Sequence, residues 1–372
     1  NKLGLIPCIA LIVGGCIGSA IYSLSGMTMY YAGPACILSW VIAAIILMMY
    51  GMLVCELSVR YPKSGGTFVF PQKAFGATNK KTGDFLGFMS AWGYIVSNWI
   101  AIAFSAIYVA TYLGAGFPAL ANLQIPLAIV ACIICFALNI MKITDAGRFN
   151  NILVAALAIS MIIYAAVAIF GGSFNAANFT PFFTQGVKGS SGFITAIPVA
   201  SVAYGACVSL SFMVSEIRKP SKTIPKALVI GLTIVMALYV VMIVATLGNL
   251  SVGILMDDAN AFFRYVPMFA AIWTSALGAY SWLSPLISIS ALIALITTML
   301  VVMALNSRSI QAMAEGGYFP KTFADNNKNG VPAKATLVTL AAAIILSCFP
   351  SATEILVGLG ALFSVVTIII TS

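Results

Sequence analysis

Ten apolar stretches, each close to the length that crosses a hydrocarbon layer, take up most of this chain. They fall at 4–30, 34–58, 84–113, 125–141, 150–171, 193–216, 226–248, 282–305, 334–350 and 353–371. Lipid offers no water to backbone N–H and C=O groups, so only helices and closed barrels can span it, and runs near twenty residues select helices. The sequence is 62% hydrophobic and only 7% charged, against about a quarter charged in an ordinary soluble domain. The expected fold class is an all-α polytopic membrane protein. The apolar segment 260–279 is interrupted by Arg264 and Pro267 and is expected to form a helix outside the membrane.

Charge placement tests this count. If the amino terminus is cytoplasmic, the inner segments carry Lys2; Arg60, Lys63, Lys73, Lys80 and Lys81; Lys142 and Arg148; Arg218, Lys219, Lys222 and Lys226; and Arg308, Lys321, Lys328 and Lys334. The outer segments carry only Lys188 and Arg264 of the 18 basic residues. Such a bias is the usual determinant of orientation, and miscounting one early span would destroy it. The net charge of +9 is thus assigned to topology, and nucleic acid is excluded as a partner. The chain opens on Asn1 and runs directly into an apolar stretch, and no cleavable signal peptide is expected.

Two of the stretches are interrupted by small residues. Gly14-Gly15-Cys16-Ile17-Gly18-Ser19-Ala20 breaks the first, and Val202-Ala203-Tyr204-Gly205-Ala206-Cys207 breaks the sixth. Helix-breaking sequence at membrane depth persists where it lines a cavity or is buried in protein. Five spans precede the second interruption and five include and follow it, so each half opens on its broken span. An odd number of spans per half forces the halves into opposite orientations. The expected organisation is one transmembrane domain of two inverted five-span repeats, 1–172 and 192–372, with a binding site between the breaks. The alternative for Gly14-x-x-x-Gly18 is a helix-packing motif, which leaves the sixth span unexplained.

The eight cysteines lie in or beside apolar stretches and read as small core residues. Cys132-Ile133-Ile134-Cys135 has metal-ligand spacing but no second pair, and the chain contains no His, so no metal site is expected. All nine acids fall at span ends or in loops. The acid–base and metal chemistry of an integral membrane enzyme is thereby largely excluded, and no repeated filter loop suggests a channel.

Gly15-Cys16-Ile17-Gly18-Ser19-Ala20-Ile21-Tyr22 resembles the G-x-I-G-S-G-I-F signature of the amino acid–polyamine–organocation (APC) transporters. Ala32-Gly33-Pro34-Ala35, the loop Tyr61-Pro62-Lys63-Ser64-Gly65-Gly66-Thr67-Phe68, the segment Glu216 to Ala227 and the segment Arg308 to Pro320 resemble further motifs of that family, in the same order. The resemblance covers nearly the whole chain. It implies a LeuT-like fold of twelve or more spans, of which residues 1–372 carry the ten core spans without the peripheral last two. It implies a secondary active transporter of the plasma membrane, working by alternating access on an amino acid.

Within that frame the first break suits a carboxylate. Unwinding at Gly18-Ser19-Ala20 frees N–H groups at the start of the outer half-helix, where the dipole favours an anion, and the Ser19 hydroxyl adds a donor. Carbonyls freed near Gly14 to Ile17, Cys16 among them, face the opposite way and suit an ammonium. Tyr204, Gly205 and Ala206 offer a matching pair on the sixth span, with Cys207 and Asn98 as side-pocket candidates. The family often has an acid near position 208, where this chain has Val208. A cationic side chain at the midplane wants a carboxylate partner, so neutral L-amino acids are the expected substrates. Polyamines, cationic amino acids and a sensor that binds without transporting are the alternatives. Gly14, Thr297 and Thr298 are candidate ligands for Na⁺, the one cofactor-like ion considered; bonding of the two hydroxyls to their own helix is the competing expectation. Symport, exchange and uniport all stay open. The loop 61–76 is expected to be an amphipathic inner gate, with Glu216 pairing to Arg218 or Lys219 as an alternative to plain solvation.

Overall fold

The computed structural model describes residues 3–61, 66–141 and 146–371. The helices are α1 (Leu5–Cys16), α2 (Ser19–Ser23), α3 (Ser25–Ala32), α4 (Cys36–Arg60), α5 (Gly66–Gly76), α6 (Lys80–Gly116), α7 (Gln124–Ile140) and α8 (Ala146–Phe170). They continue with α9 (Gly192–Ser201), which runs into a 3-10 segment (Val202–Glu216), then α10 (Pro220–Leu247), α11 (Val252–Met256), α12 (Pro267–Thr274), α13 (Leu283–Glu315), α14 (Ala333–Ser347) and α15 (Thr353–Thr371). Among the described residues, seven helical stretches are long and apolar enough to cross a membrane, and three shorter apolar ones, 124–140, 333–347 and 355–371, accompany them. Together they occupy the ten stretches expected from the sequence.

Each long helix shows two faces. Trp40, Leu47 and Val54 of α4 are buried in the core, while Ile45, Met49 and Leu53 of the same helix are exposed. Exposed Ile152, Ile159, Ile345 and Ile369 repeat the pattern on α8, α14 and α15. A soluble protein would pay for such a surface; in lipid the outward apolar face costs nothing. The corner between the first two spans is made by Gly33, at φ +59, where a Cβ would press on Gln185 and L side chains rarely fit.

Segments assigned to one side of the bilayer meet one another. Leu3 forms a parallel bridge with Ile217, Asn327 and Asn329 donate to the Ile140 carbonyl, and Phe68 stacks edge-on against Tyr318. On the opposite end Val187 N–H donates to Tyr30 O, and the Arg264 guanidinium lies 4.1 Å over the Tyr30 ring.

Two expectations change. The segment 260–279 is not one helix: a 3-10 turn (Asp258–Arg264) ends before Pro267, which opens α12. Proline lacks the N–H that a continuing helix needs and is tolerated in the first turn. The loop 61–76 is largely helix α5, lying on α6, with Phe68 and Phe70 buried. Gln72 Nε2 donates to Asp84 Oδ1 at 2.9 Å. Burial and the neighbouring Asp84 carboxylate push the Tyr318 hydroxyl above its usual range. Pro62 to Gly65, and the side chains of Arg148 and Glu216, lie outside the described residues, and with them the Glu216 ion pairs.

Candidate functional site

The first span is interrupted between α1 and α2. Ile17 (φ −69, ψ 94) and Gly18 (φ −146, ψ −149) leave the helical region, and the chain re-enters it at Ser19. Gly18 is dictated by its neighbour: a Cβ there would overlap the Thr298 hydroxyl oxygen of α13. The same oxygen accepts the Ser19 N–H at 3.0 Å, while its own proton goes to Ala294 O at 2.8 Å. At the end of α1, the Cys16 carbonyl accepts from the Tyr239 hydroxyl of α10. Beyond the gap, Tyr112 and Tyr108 of α6 donate to the Tyr22 and Ser23 carbonyls at 2.9 and 3.2 Å.

The sixth span behaves differently. α9 continues without an extended residue into fifteen residues of 3-10 winding, Val202–Glu216. Runs beyond three or four residues are uncommon for this helix and mark strain or a hinge. Ser209 and Ser211 hydroxyls donate to the Ala206 and Val208 carbonyls at 2.7 and 2.6 Å, so the segment binds its own backbone. The spans touch at Gly15 and Ala206, where a Cβ on Gly15 would lie 2.8 Å from the Ala206 methyl.

A cavity of about 170 Å³ lies where these segments meet. Cys16, Gly18, Ser19, Ala20, Gly205, Ala206, Cys207, Asn98 and Thr298 all line it. Among the described residues, the cavity lining contains no Asp, Glu, Lys or Arg. Aliphatic groups dominate, with Leu24, Leu47, Ile100, Val202, Val301 and Val302 on the wall. A Cβ on Gly205 would meet nothing within 4 Å, so the Cα hydrogens of this residue face open space. Ser19 is buried, its hydroxyl 3.3 Å from that of Ser105.

The sequence of residues 3–372 matches the amino acid permease family along its length. The chain belongs to the amino acid permease family. It is 26% identical over 340 residues to an uncharacterized transporter of Mycobacterium tuberculosis (strain ATCC 25618 / H37Rv), covering 91% of this chain and 71% of that protein. It is 24% identical over 371 residues to the branched-chain amino acid permease BcaP of Lactococcus lactis subsp. cremoris, covering 92% and 74%. It is 28% identical over 362 residues to cationic amino acid transporter 1 of Arabidopsis thaliana, covering 91% of this chain and 56% of that protein. This permease is a multi-pass membrane protein of amino acid transport and not an enzyme.

Three candidates in the permease stand apart from the cavity. Tyr204 is fully buried behind it, edge-on to Trp40 and Tyr239. Gly14 faces Val154 of α8, whose methyl would lie 3.1 Å from an added Cβ. Thr297 donates to its own helix at Ile293 O and Ala294 O. Of the three ion-site candidates, Gly14, Thr297 and Thr298, it is Thr298 that lines the cavity and accepts the Ser19 N–H.

Sequence reasoning missed the tenth span's part in the cavity wall. Val357, Gly360, Ala361, Ser364 and Thr367 of α15 line the cavity, joined by Tyr50 of α4 and by Tyr94 and Phe104 of α6. Tyr50 accepts from Thr371 at 2.8 Å and Ser97 donates to Gly360 O at 3.1 Å, tying α15 to the wall. The spacing 357, 360, 361, 364, 367 and 368 is one helical face, a signal that was available but shared with every packed helix. The Asn98 amide nitrogen is buried at this wall, beside Tyr94.

Proposed function

We propose that this permease moves neutral L-amino acids across the plasma membrane, its amino terminus cytoplasmic, by alternating access between two inverted five-span repeats. The observation that carries the reading is the cavity at the meeting of the two interrupted spans, walled by aliphatic groups and, among the described residues, free of charge. The substrate carboxylate approaches Ser19 and Ala20 at the start of α2, and its ammonium faces the carbonyls that end α1. Each partner matches the local helix-end polarity. A lysine or arginine side chain would enter without a counter-charge, at a desolvation cost of several kcal/mol. The name of BcaP agrees with this reading, whereas that of the Arabidopsis protein speaks for the cationic alternative.

The test is uptake by the purified protein in liposomes, with radiolabelled leucine competed by neutral and cationic amino acids, with and without a sodium gradient. Saturable leucine uptake that excess arginine leaves intact is expected. Arginine uptake in preference to leucine would overturn the neutral assignment, and saturable binding without uptake would identify a sensor. Ser19→Leu is expected to abolish binding and uptake while the protein still melts cooperatively; normal transport by that variant would refute the carboxylate site.

A further inference from the structure

The gap in the first span leaves several backbone groups with no helical partner, the Cys16 carbonyl among them. At membrane depth none can turn to bulk water, and an unpaired group there is costly. One side chain from another helix reaches that carbonyl. The Tyr239 hydroxyl donates to Cys16 O. Tyr239 comes from α10 and is fully buried. Its ring is locked edge-on against Trp40, centroids 5.1 Å apart, and against Tyr204 of the 3-10 segment at 5.5 Å. Trp40 is fixed in turn by donating to Thr28 at 3.0 Å. The hydroxyl is therefore delivered to the gap by three helices and touches both interrupted spans through one ring.

We propose that Tyr239 is a positioning residue for the substrate amine, an assignment that rests on the transport reading given above. A carbonyl oxygen has two lone pairs. Tyr239 occupies one at Cys16, which fixes the carbonyl's direction and leaves the other lone pair for an ammonium in the adjoining cavity. Without the hydroxyl, the carbonyl has to find another partner by rewinding the gap, and the amine acceptor turns away. The carboxylate end is held by different groups, Ser19 and the start of α2, whose N–H at Ser19 is anchored independently on Thr298. Loss of Tyr239 is thus selective for one end of the substrate.

The prediction is read by equilibrium binding to the purified full chain, comparing leucine with 4-methylpentanoic acid, which keeps the carboxylate and side chain but lacks the amine. Tyr239→Phe retains the ring contacts. It is expected to weaken leucine binding about tenfold, the order of one lost hydrogen bond to a charged group, while the affinity for the des-amino acid stays within twofold. Equal weakening of both ligands, or no change in either, overturns the proposal, because a merely structural role moves both together. If Tyr239→Phe fails to fold, 3-fluorotyrosine at 239 keeps the ring and hydroxyl and alters donor strength. A shift of at least twofold in the leucine-to-analogue ratio is then expected, and a constant ratio overturns it. Leucine binding by the wild type without uptake would sink the transport reading and leave this comparison intact; binding of neither ligand would overturn both.

Discussion

The first and sixth spans carry the same kind of sequence interruption and solve it in opposite ways. The first opens a gap at Ile17–Gly18, whose polar groups are met from outside by Tyr239 and Thr298. The sixth stays wound as a 3-10 helix over Val202–Glu216, and its serine hydroxyls turn back onto its own carbonyls. One region depends on two other helices for its shape, the other mainly on itself. The lesson is that a small-residue run states only that α-helical winding is weak there; what replaces the winding depends on which side chains stand opposite.

The contrast can be broken most forcefully at the gap. Gly18→Ala puts a methyl onto the Thr298 oxygen, and overpacking of this kind costs about 1–3 kcal/mol, so uptake should fall at least about tenfold with a lowered melting temperature. The double variant Gly18→Ala/Thr298→Ala should recover part of that loss. Equal damage in single and double variants would show that the contact with Thr298 is not what makes Gly18 necessary.

A smaller effect separates the neighbouring threonines of α13. Thr298→Val removes the acceptor for the Ser19 N–H and should reduce substrate affinity about tenfold, the scale of one unsatisfied buried donor. Thr297→Val removes only a hydroxyl bonded to its own helix and should change affinity less than twofold. If Thr297→Val instead erases a sodium dependence, that threonine is an ion ligand after all and the present separation of the pair fails.

The smallest structural effect is expected on the sixth span. Gly205→Ala meets no atom within 4 Å, so the melting temperature should hold. The methyl instead takes up cavity space, which should weaken transport of leucine more than that of alanine by severalfold, since one carbon in a fitted pocket is worth about 1–3 kcal/mol. A large loss of stability in this variant would mean that the 3-10 winding is held by more than its own backbone bonds, and the two spans would be less different than they look.

Much of the site was legible before any coordinates. Cys16, Gly18, Ser19, Ala20, Gly205, Ala206 and Cys207 announce themselves as small residues where a lipid-spanning helix should be continuous, and all of them line the cavity. Tyr204 misled because it sits within the same run, yet its ring points at Trp40 and Tyr239 instead. Gly14 misled for the opposite reason: its position permits close packing, and Val154 takes that space. Tyr239 and the cavity face of α15 gave no sign, because a tyrosine or a row of small residues in an apolar helix looks the same whether it faces a gap, a neighbour or a cavity.

The sequence by itself determined the number of spans, the membrane as solvent, the sites of weak winding and the family. All of these follow from local hydrophobicity and backbone propensity, which act over one or two helical turns. Only the tertiary structure decided that one weak run opens and the other overwinds, that Thr298 lines the gap, and that a tyrosine from α10 donates to the last carbonyl of α1. Those outcomes depend on groups far apart in the chain, Ser19 and Thr298 being 279 residues apart, and in a medium without water a backbone group takes its geometry from whichever distant partner reaches it.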